Sequence, residues 1–365
     1  MMLDKLKLTK IDLYIIKKFL GTYFYTIILI IGIAIIFDFS EKIDDFMDKH
    51  APMKAIVFDY YLNFIPYYAN LFSNLFTFVA VIFFTSKMAV TSEIIAIKSI
   101  GFSFRRLLYP YFIAAGVIAV LSLYLGCFVI PHATEKKLEF ENKFVRNPYR
   151  FTQRNIHKQI EPGTYIYLES YTNEVEVGYK FSLEKFDKGI LKKKIIADYI
   201  QWDSTKTQWK VHNYISRVID GEKETVVKGA ELDTVLRITP AEFHRRFNIV
   251  ETMNYGDLND FIKEERLRGS DTIEVYLVEK YKRLAFPFST FILTLIGMSL
   301  ASNRVRGGMG LHIGLGLALS FTYIFFMQVS TQFAIGGSVE PLLAVWIPNI
   351  IYGIIGIFLY NVTKR

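Results

Sequence analysis

"FLGTYFYTIILIIGIAIIF", Phe19 to Phe37, is an apolar run without a single charged side chain. A helix rises 1.5 Å per residue, so the run is long enough to cross about 30 Å of hydrocarbon, which takes about 20 residues. Hydrocarbon offers no water to unpaired backbone groups, and only a helix satisfies all of them within one segment. Five further runs of the same kind follow, giving six in all: Tyr67–Phe84, Pro110–Ile130 and, past a long polar interval, runs from about Leu284 to Leu300, Leu311 to Phe333 and Leu342 to Tyr360. The chain reads as a three-plus-three helical membrane protein.

Composition agrees. Of 365 residues 52% are hydrophobic, and mean hydropathy is +0.26, too apolar for an ordinary soluble domain. The first run is longer than the apolar core of a signal peptide, and "DFSEKIDDF" follows it in place of a small-x-small cleavage site, so it reads as an uncleaved anchor.

Bases set the orientation. Lys5, Lys7, Lys10, Lys17 and Lys18 precede span one; Lys87, Lys98, Arg105 and Arg106 separate spans two and three; Arg304 and Arg306 separate four and five; Lys364 and Arg365 follow six. Because basic residues resist translocation, all of these are assigned to the cytoplasm together with both termini. The opposite side has Lys42, Lys49 and Lys54 diluted by six acids, and "IGGSVEP" between spans five and six has no base. The expected layout is residues 1–130 for spans one to three, 131–270 for an outer domain and 271–365 for spans four to six. The net charge of +8 is thus shared between cytoplasmic loops and the outer domain and gives no reason to invoke nucleic acid. One cysteine, Cys127 within span three, excludes an intrachain disulfide framework.

From Gly163 onward the pattern turns to short alternating runs: "TYIYLESY", "VGYKFSLEKF", "KKKIIADYIQWD", "QWKVHNYISRVI", "ETVVKGAEL" and "TVLRI". Period-two alternation predicts strands with one buried face, and Asp187-Lys188-Gly189, Ser204-Thr205-Lys206 and Asp220-Gly221 predict hairpin turns. The expected fold is an antiparallel β-sandwich or jelly-roll-like domain. Beyond Pro240, "NYGDLNDFIKEERLRG" predicts a helix capped by Asn254 and stopped by Gly269, and another begins near Thr272 and runs into span four.

Motifs for intrinsic catalysis are missing. The sequence contains no G-x-x-x-x-G-K-[ST], H-E-x-x-H, C-x-x-C or G-x-S-x-G, and its six histidines are scattered. Asn70, Ser73 and Asn74 in span two and Gln328, Ser330 and Gln332 in span five either bond neighbouring helices or line a pathway. Gly308, Gly310, Gly314 and Gly316 at the start of span five permit close helix approach. Near the outer ends of the spans stand Lys136, Lys137 and Lys143, and Lys280, Lys282 and Arg283. Beside Glu135, Glu139, Glu141 and Glu279 they form either a solvated collar or a site for an anionic substrate at the membrane boundary.

Between spans two and three, "TSEIIAIKSIGFSFRRLL" (Thr91–Leu108) predicts a short helix ended by Gly101, with Ser103 capping the next. On that helix Glu93 shares a stripe with Ala96, Ile97 and Ile100, and Lys98 lies outside i,i+4 reach. No residue of the helix itself can pair with the carboxylate. Either the helix lies in the membrane interface, or a protein groove with a basic residue receives it.

Three spans, an outer β-domain, three more spans and "SEIIAIKSIGFS" after span two resemble the LptF/LptG family of lipopolysaccharide-export permeases. "IDLYIIKKFL" before span one, Pro131 after span three, "YIYLES", Lys282 to Pro287 and "RVRGGMGLHIGLGL" carry the resemblance along the chain. It implies a pair of related permeases above two copies of the ATPase LptB, with ATP and Mg held by that partner and no cofactor on this chain. It also implies that the short helix enters an ATPase groove, its Glu falling on Glu93 beside Ile97, Ile100 and Gly101. Spans one and five would form lateral gates, and the β-domain would pass lipopolysaccharide to a periplasmic bridge beginning with LptC. Substrate contacts would fall on Lys42, Lys136, Lys137, Lys143, Lys280, Lys282 and Arg283. Where family members can carry a base near the outer end of span one, this chain reads "FDFSEK", with Asp38 and Glu41 before Lys42. The alternative class is a membrane-anchored assembly or sensor protein that transports nothing. A secondary transporter is disfavoured because the spans hold essentially no charge for ion coupling.

Overall fold

The structure, a computed structural model, describes residues 8–145, 154–221, 223–240, 243, 247–270, 272–302 and 308–364. Lys5, Lys7, Arg304, Arg306 and Arg365, which entered the orientation, lie outside the described residues. Packing divides the chain into a membrane unit, which includes residues 251–255, and a β unit between Val145 and Ile273. Among the described residues six helices are long and apolar enough to cross a membrane: Lys10–Asp48, Ser73–Val90, Phe104–Phe144, Ile273–Ala301, Gly310–Ile335 and Pro341–Thr363.

Span one is a single helix of 39 residues, opened by a capping box in which the Thr9 backbone N–H donates to Asp12 and the Thr9 hydroxyl oxygen accepts from the Asp12 backbone. Span two begins later than expected. Tyr67 to Leu71 belong to a separate helix, Leu62–Leu71, and the chain breaks at Phe72 before Ser73–Val90. No glycine or proline marks this break; a stack of Phe64 on Tyr68 at 4.0 Å and Tyr68 on Phe72 at 6.4 Å runs up to it.

Span three does not stop at Ile130. Its helix starts at Phe104, where the Ser103 hydroxyl accepts from the Arg106 N–H as expected, and it continues to Phe144. The expected boundary at 130/131 therefore falls inside a continuous helix. Proline in a helix removes a donor and crowds the carbonyl four residues back. Here a π-helical turn, Leu125–Val129, immediately precedes the last segment, Ile130–Phe144, and its wider winding accommodates Pro131.

The core of the membrane unit joins spans one, two and three through Phe19, Phe84 and Tyr111, with ring centroids 5.5 Å and 5.2 Å apart along the stack. Spans two and five meet where a Cβ on Gly316 would come within 2.2 Å of Ile82, whereas Gly310 and Gly314 face open space. The polar span residues mostly tie helices together: Tyr23 with Ser73 at 2.7 Å, Ser122 to Asn70 at 2.7 Å and Ser330 to the Ala344 carbonyl at 2.5 Å. Asn74 is buried without a hydrogen-bond partner among the described residues.

The β unit is a single antiparallel sheet of seven strands: β1 (Ile156–Glu161), β2 (Thr164–Leu168), β3 (Ser170–Thr172), β4 (Val177–Asp187), β5 (Ile190–Asp203), β6 (Gln208–Asp220) and β7 (Lys223–Thr234). The order is β1-β2-β4-β5-β6-β7, with β3 beside β4, so the expected antiparallel domain is built as one meander. β1 was not signalled by alternation, and "TVLRI" is no strand beyond Thr234: Ile238 instead gives its carbonyl to the Trp209 indole N–H at 2.7 Å. Lys188 and Gly189 both take positive φ, which makes the β4–β5 connection a two-residue type I′ hairpin.

A transverse crease crosses the sheet. Lys180 in β4 and Asn213 in β6 adopt φ of 51° and 53°, and the ladder skips their row, which includes Asp198 of β5. The inward set consequently changes parity along each strand: Ile195 and Ala197 precede Ile200 in β5. One face buries Phe181, Ile200, Trp209 and Val211 under Ile238 and Phe243. The other leaves Tyr165, Tyr179, Ile196 and Ile215 exposed over a cleft of about 1010 Å³.

Trp209 is fully buried and hydrogen-bonded, so Trp209→Ala removes packing and leaves the Ile238 carbonyl without its indole donor. The expected cost is about 3–5 kcal/mol. Hydrogen exchange on the intact protein is predicted to lose protection across β5 and β6 while the spans keep theirs.

Candidate functional site

One corner of the membrane unit is built on the short helix Glu93–Ser99. It follows span two through Ser92, whose φ of 61° turns the chain sharply, and Gly101 at φ 93° turns it again toward span three. Ile94 and Ile97 are buried against the membrane unit, while Ile95 and Ile100 are 60% and 64% exposed. The expected stripe is thus divided: Ile97 faces inward and Ile100 faces out.

Glu93 stands in the first turn, where the helix dipole favours an acid. Its Oε2 accepts from the Tyr14 hydroxyl at 2.8 Å, its Oε1 accepts from the Thr91 hydroxyl at 3.0 Å, and Lys18 Nζ lies 3.6 Å from Oε1. The base that the spacing could not supply is Lys18 of span one, and Tyr14 of the same helix, 79 residues before Glu93, adds a hydroxyl donor. A partner outside the chain is therefore not required to satisfy the carboxylate. Glu93, Ala96 and Ile97 share a shallow groove of about 320 Å³ with Lys10, Ile11 and Tyr14.

A second tie lies alongside. Arg106 at the start of span three grips Asp12 with both guanidinium nitrogens, at 2.7 Å and 2.5 Å, and Asp12 is 1% exposed. This fork-to-carboxylate geometry is the strong form of the interaction. Asp12 carried no signal in the sequence beyond its place after Thr9, and its partner is 94 residues away.

At the opposite end of the spans, several expected substrate bases are neutralised within the chain. Lys42 donates to Asp38 at 2.5 Å and also to the Tyr60 hydroxyl, and Tyr61 donates to Asp38 at 3.2 Å. Lys137 lies 3.8 Å from Glu141 and 4.7 Å over the Tyr67 ring. Arg283 donates to Glu279 at 2.9 Å and to the Met253 carbonyl at 2.6 Å. Lys282 lines a cleft of about 120 Å³ with Tyr67, Asn70, Ser122 and Glu251. Burial and the nearby Glu279 push the Glu251 carboxyl up, against the pull of Lys137, Lys282 and Arg283. Lys136 and Lys143 are exposed, the latter 5.0 Å over Phe144, and Lys280 is half-buried beside Tyr281. The structure thus divides the seven bases into three paired ones and four with charge nearer the surface.

Asp12→Asn weakens a charged hydrogen-bond pair, for which the expected loss is about 1.5–3 kcal/mol, read as thermal stability in detergent. For Glu93, burial opposes ionisation, but the hydrogen bonds from Tyr14 and Thr91 and the Lys18 ammonium outweigh it and hold the carboxyl below its ordinary value. A depressed carboxyl contributes stability that is present above its unfolded value and lost as pH falls through the folded one. Infrared difference spectra of wild type against Glu93→Gln are therefore expected to keep the carboxylate band down through the usual glutamate range. Protonation within that range would contradict the contact.

A family model described as lipopolysaccharide export system permease LptF/LptG matches residues 13–362, which takes in all six spans and the whole sheet. None of the curated proteins compared with the chain matches it. With the match running through the short helix and both halves of the membrane unit, the chain belongs to the LptF/LptG family of lipopolysaccharide export permeases.

Proposed function

We propose that this chain is one permease subunit of an ATP-driven exporter that draws lipopolysaccharide from the bacterial inner membrane and passes it to a periplasmic bridge. Its partners in this reading are an LptB-like ATPase dimer holding ATP and Mg, a paralogous permease, and an LptC-like bridge protein. Both termini and the short helix face the cytoplasm, and the β unit faces the periplasm.

The observation that carries the coupling part is the short helix itself. It stands on the membrane unit through Ile94 and Ile97 and turns Ile95 and Ile100 outward, at the end of the spans where bases are concentrated. An exposed apolar pair on a rigid helix fits a protein groove. Pulling acyl chains from a bilayer costs about 0.8 kcal/mol per CH₂, which demands an external drive.

Spans one and five suit the gate. Only 17% and 28% of their apolar windows are packed inside the chain, against 72% for span two and 61% for span four. Their unburied faces, with Ile28 and Ile36 on one and Phe321 and Phe325 on the other, are available to acyl chains or a second permease. The cleft on the open face of the sheet, bordered by Tyr165, Tyr179, Ile196 and Ile215, is apolar enough to guide lipid onward. Lys136 and Lys143 are the expected bases whose charge is most open to a phosphorylated sugar.

Detergent pull-downs test the reading. Wild type is expected to retain an ABC-type ATPase, with Glu93→Ala and Glu93→Lys retaining about tenfold less or below, the equivalent of roughly 1.4 kcal/mol. Equal recovery with all three proteins, together with unchanged export, would remove the coupling role of Glu93.

A further inference from the structure

The contacts that satisfy Glu93 belong to span one, and that fact extends the reading above. Tyr14 and Lys18 sit one helical turn apart on the cytoplasmic extension of span one, with Lys18 Nζ 4.5 Å over the Tyr14 ring. Both reach Glu93, the first residue of the short helix. Two residues before Tyr14, Asp12 is held by Arg106 of span three. The first turns of span one are thus fastened to both elements that flank the cytoplasmic turn.

Above this point the packing changes. Phe19 and Tyr23 are buried against Phe84, Tyr111 and Ser73, whereas from Tyr25 to Phe37 most of the large side chains are exposed, Tyr25, Ile28, Ile36 and Phe37 each by more than 60%. The helix contains no proline and runs unbroken from Lys10 to Asp48, through Gly21 and Gly32. At 1.5 Å per residue Tyr14 lies about 7.5 Å below Phe19 and Phe37 about 27 Å above it, so the arm above the buried aromatic contact is roughly 3.6 times the length of the arm below.

We infer that Tyr14 and Lys18 are positioning residues that link the short helix to span one, making span one a lever whose short arm is held by Glu93. A partner that shifts the short helix thereby moves the exposed middle of span one. This rests on the short helix being the docking element of the ATPase. The outer end of span one is packed as well, Phe46 meeting Tyr60 on the π-helical turn Ile56–Tyr61 and Phe140 near the far end of the span-three helix, so the exposed middle lies between two held ends.

Tyr14 is 41% exposed, so removing its hydroxyl leaves the core untouched. The test uses the permease complex with its ATPase in vesicles containing lipopolysaccharide, comparing wild type, Lys18→Arg and the double variant Tyr14→Phe, Lys18→Gln. Three quantities are read: ATPase retained on the complex, ATP hydrolysis, and ATP-driven loss of lipopolysaccharide from the vesicles. The double variant is expected to retain ATPase and hydrolysis within about twofold while export falls at least about tenfold, a change of roughly 1.4 kcal/mol in the coupled step. Lys18→Arg, which keeps the charge, is expected to export like wild type. Wild-type export by the double variant overturns the lever, and so does a parallel loss of bound ATPase, which would make the two residues part of the docking surface. Failure of wild type to retain any ATPase would instead overturn the coupling reading itself, and the lever with it.

Discussion

Hydrocarbon cannot hydrogen-bond, and the rest of the membrane unit follows from that constraint. Each span must satisfy its backbone internally, and the third helix keeps its winding through a π-helical turn, Leu125–Val129, directly before Pro131. Polar side chains within the spans are handled in the same way. Tyr23 meets Ser73, Ser122 meets Asn70, and Ser330 meets a backbone carbonyl, so they join helices where lipid would leave them unsatisfied.

Charge is kept to the two ends, and there it does different work. Around the short helix, Asp12 with Arg106 and Glu93 with Tyr14 and Lys18 bring three sequence-distant elements together. At the opposite end, Lys42, Lys137 and Arg283 are each paired with an acid on the same helix, four residues away. Such pairs fix local geometry and present little free charge. The β unit relies on a different device, with Lys180 and Asn213 in left-handed conformations creasing the sheet so that one face closes over Trp209 and the other opens into a cleft. Non-glycine residues held at positive φ cost free energy, and the surrounding ladders hold them there.

The spans were legible because a run such as Phe19–Phe37 has one physical solution in lipid, and the hairpin at Lys188-Gly189 because its turn chemistry is local. The break at Phe72 was not, since no glycine or proline stands at it and the neighbouring aromatic run reads as uninterrupted apolar sequence. β1 escaped because "IHKQIE" carries little alternation, and the crease hid itself by reversing the parity on which strand reading depends. For Glu93 the sequence exposed the problem without its answer. Helical spacing excluded every partner on the same helix, but Tyr14 and Lys18 become neighbours only after spans one, two and three have packed. The same holds for Asp12, whose burial is a consequence of Arg106 arriving from span three.

The central claim is that the short helix turns one face to the membrane unit and the other to a separate ATPase. Photo-crosslinking amino acids placed singly at Ile94, Ile95, Ile97 and Ile100 in cells producing the intact protein address it most directly. Crosslinks to an ABC-type ATPase are predicted from positions 95 and 100 only, with 94 and 97 reacting within the chain. Reaction of positions 95 and 100 with lipid alone would make the helix an interfacial element and contradict the account.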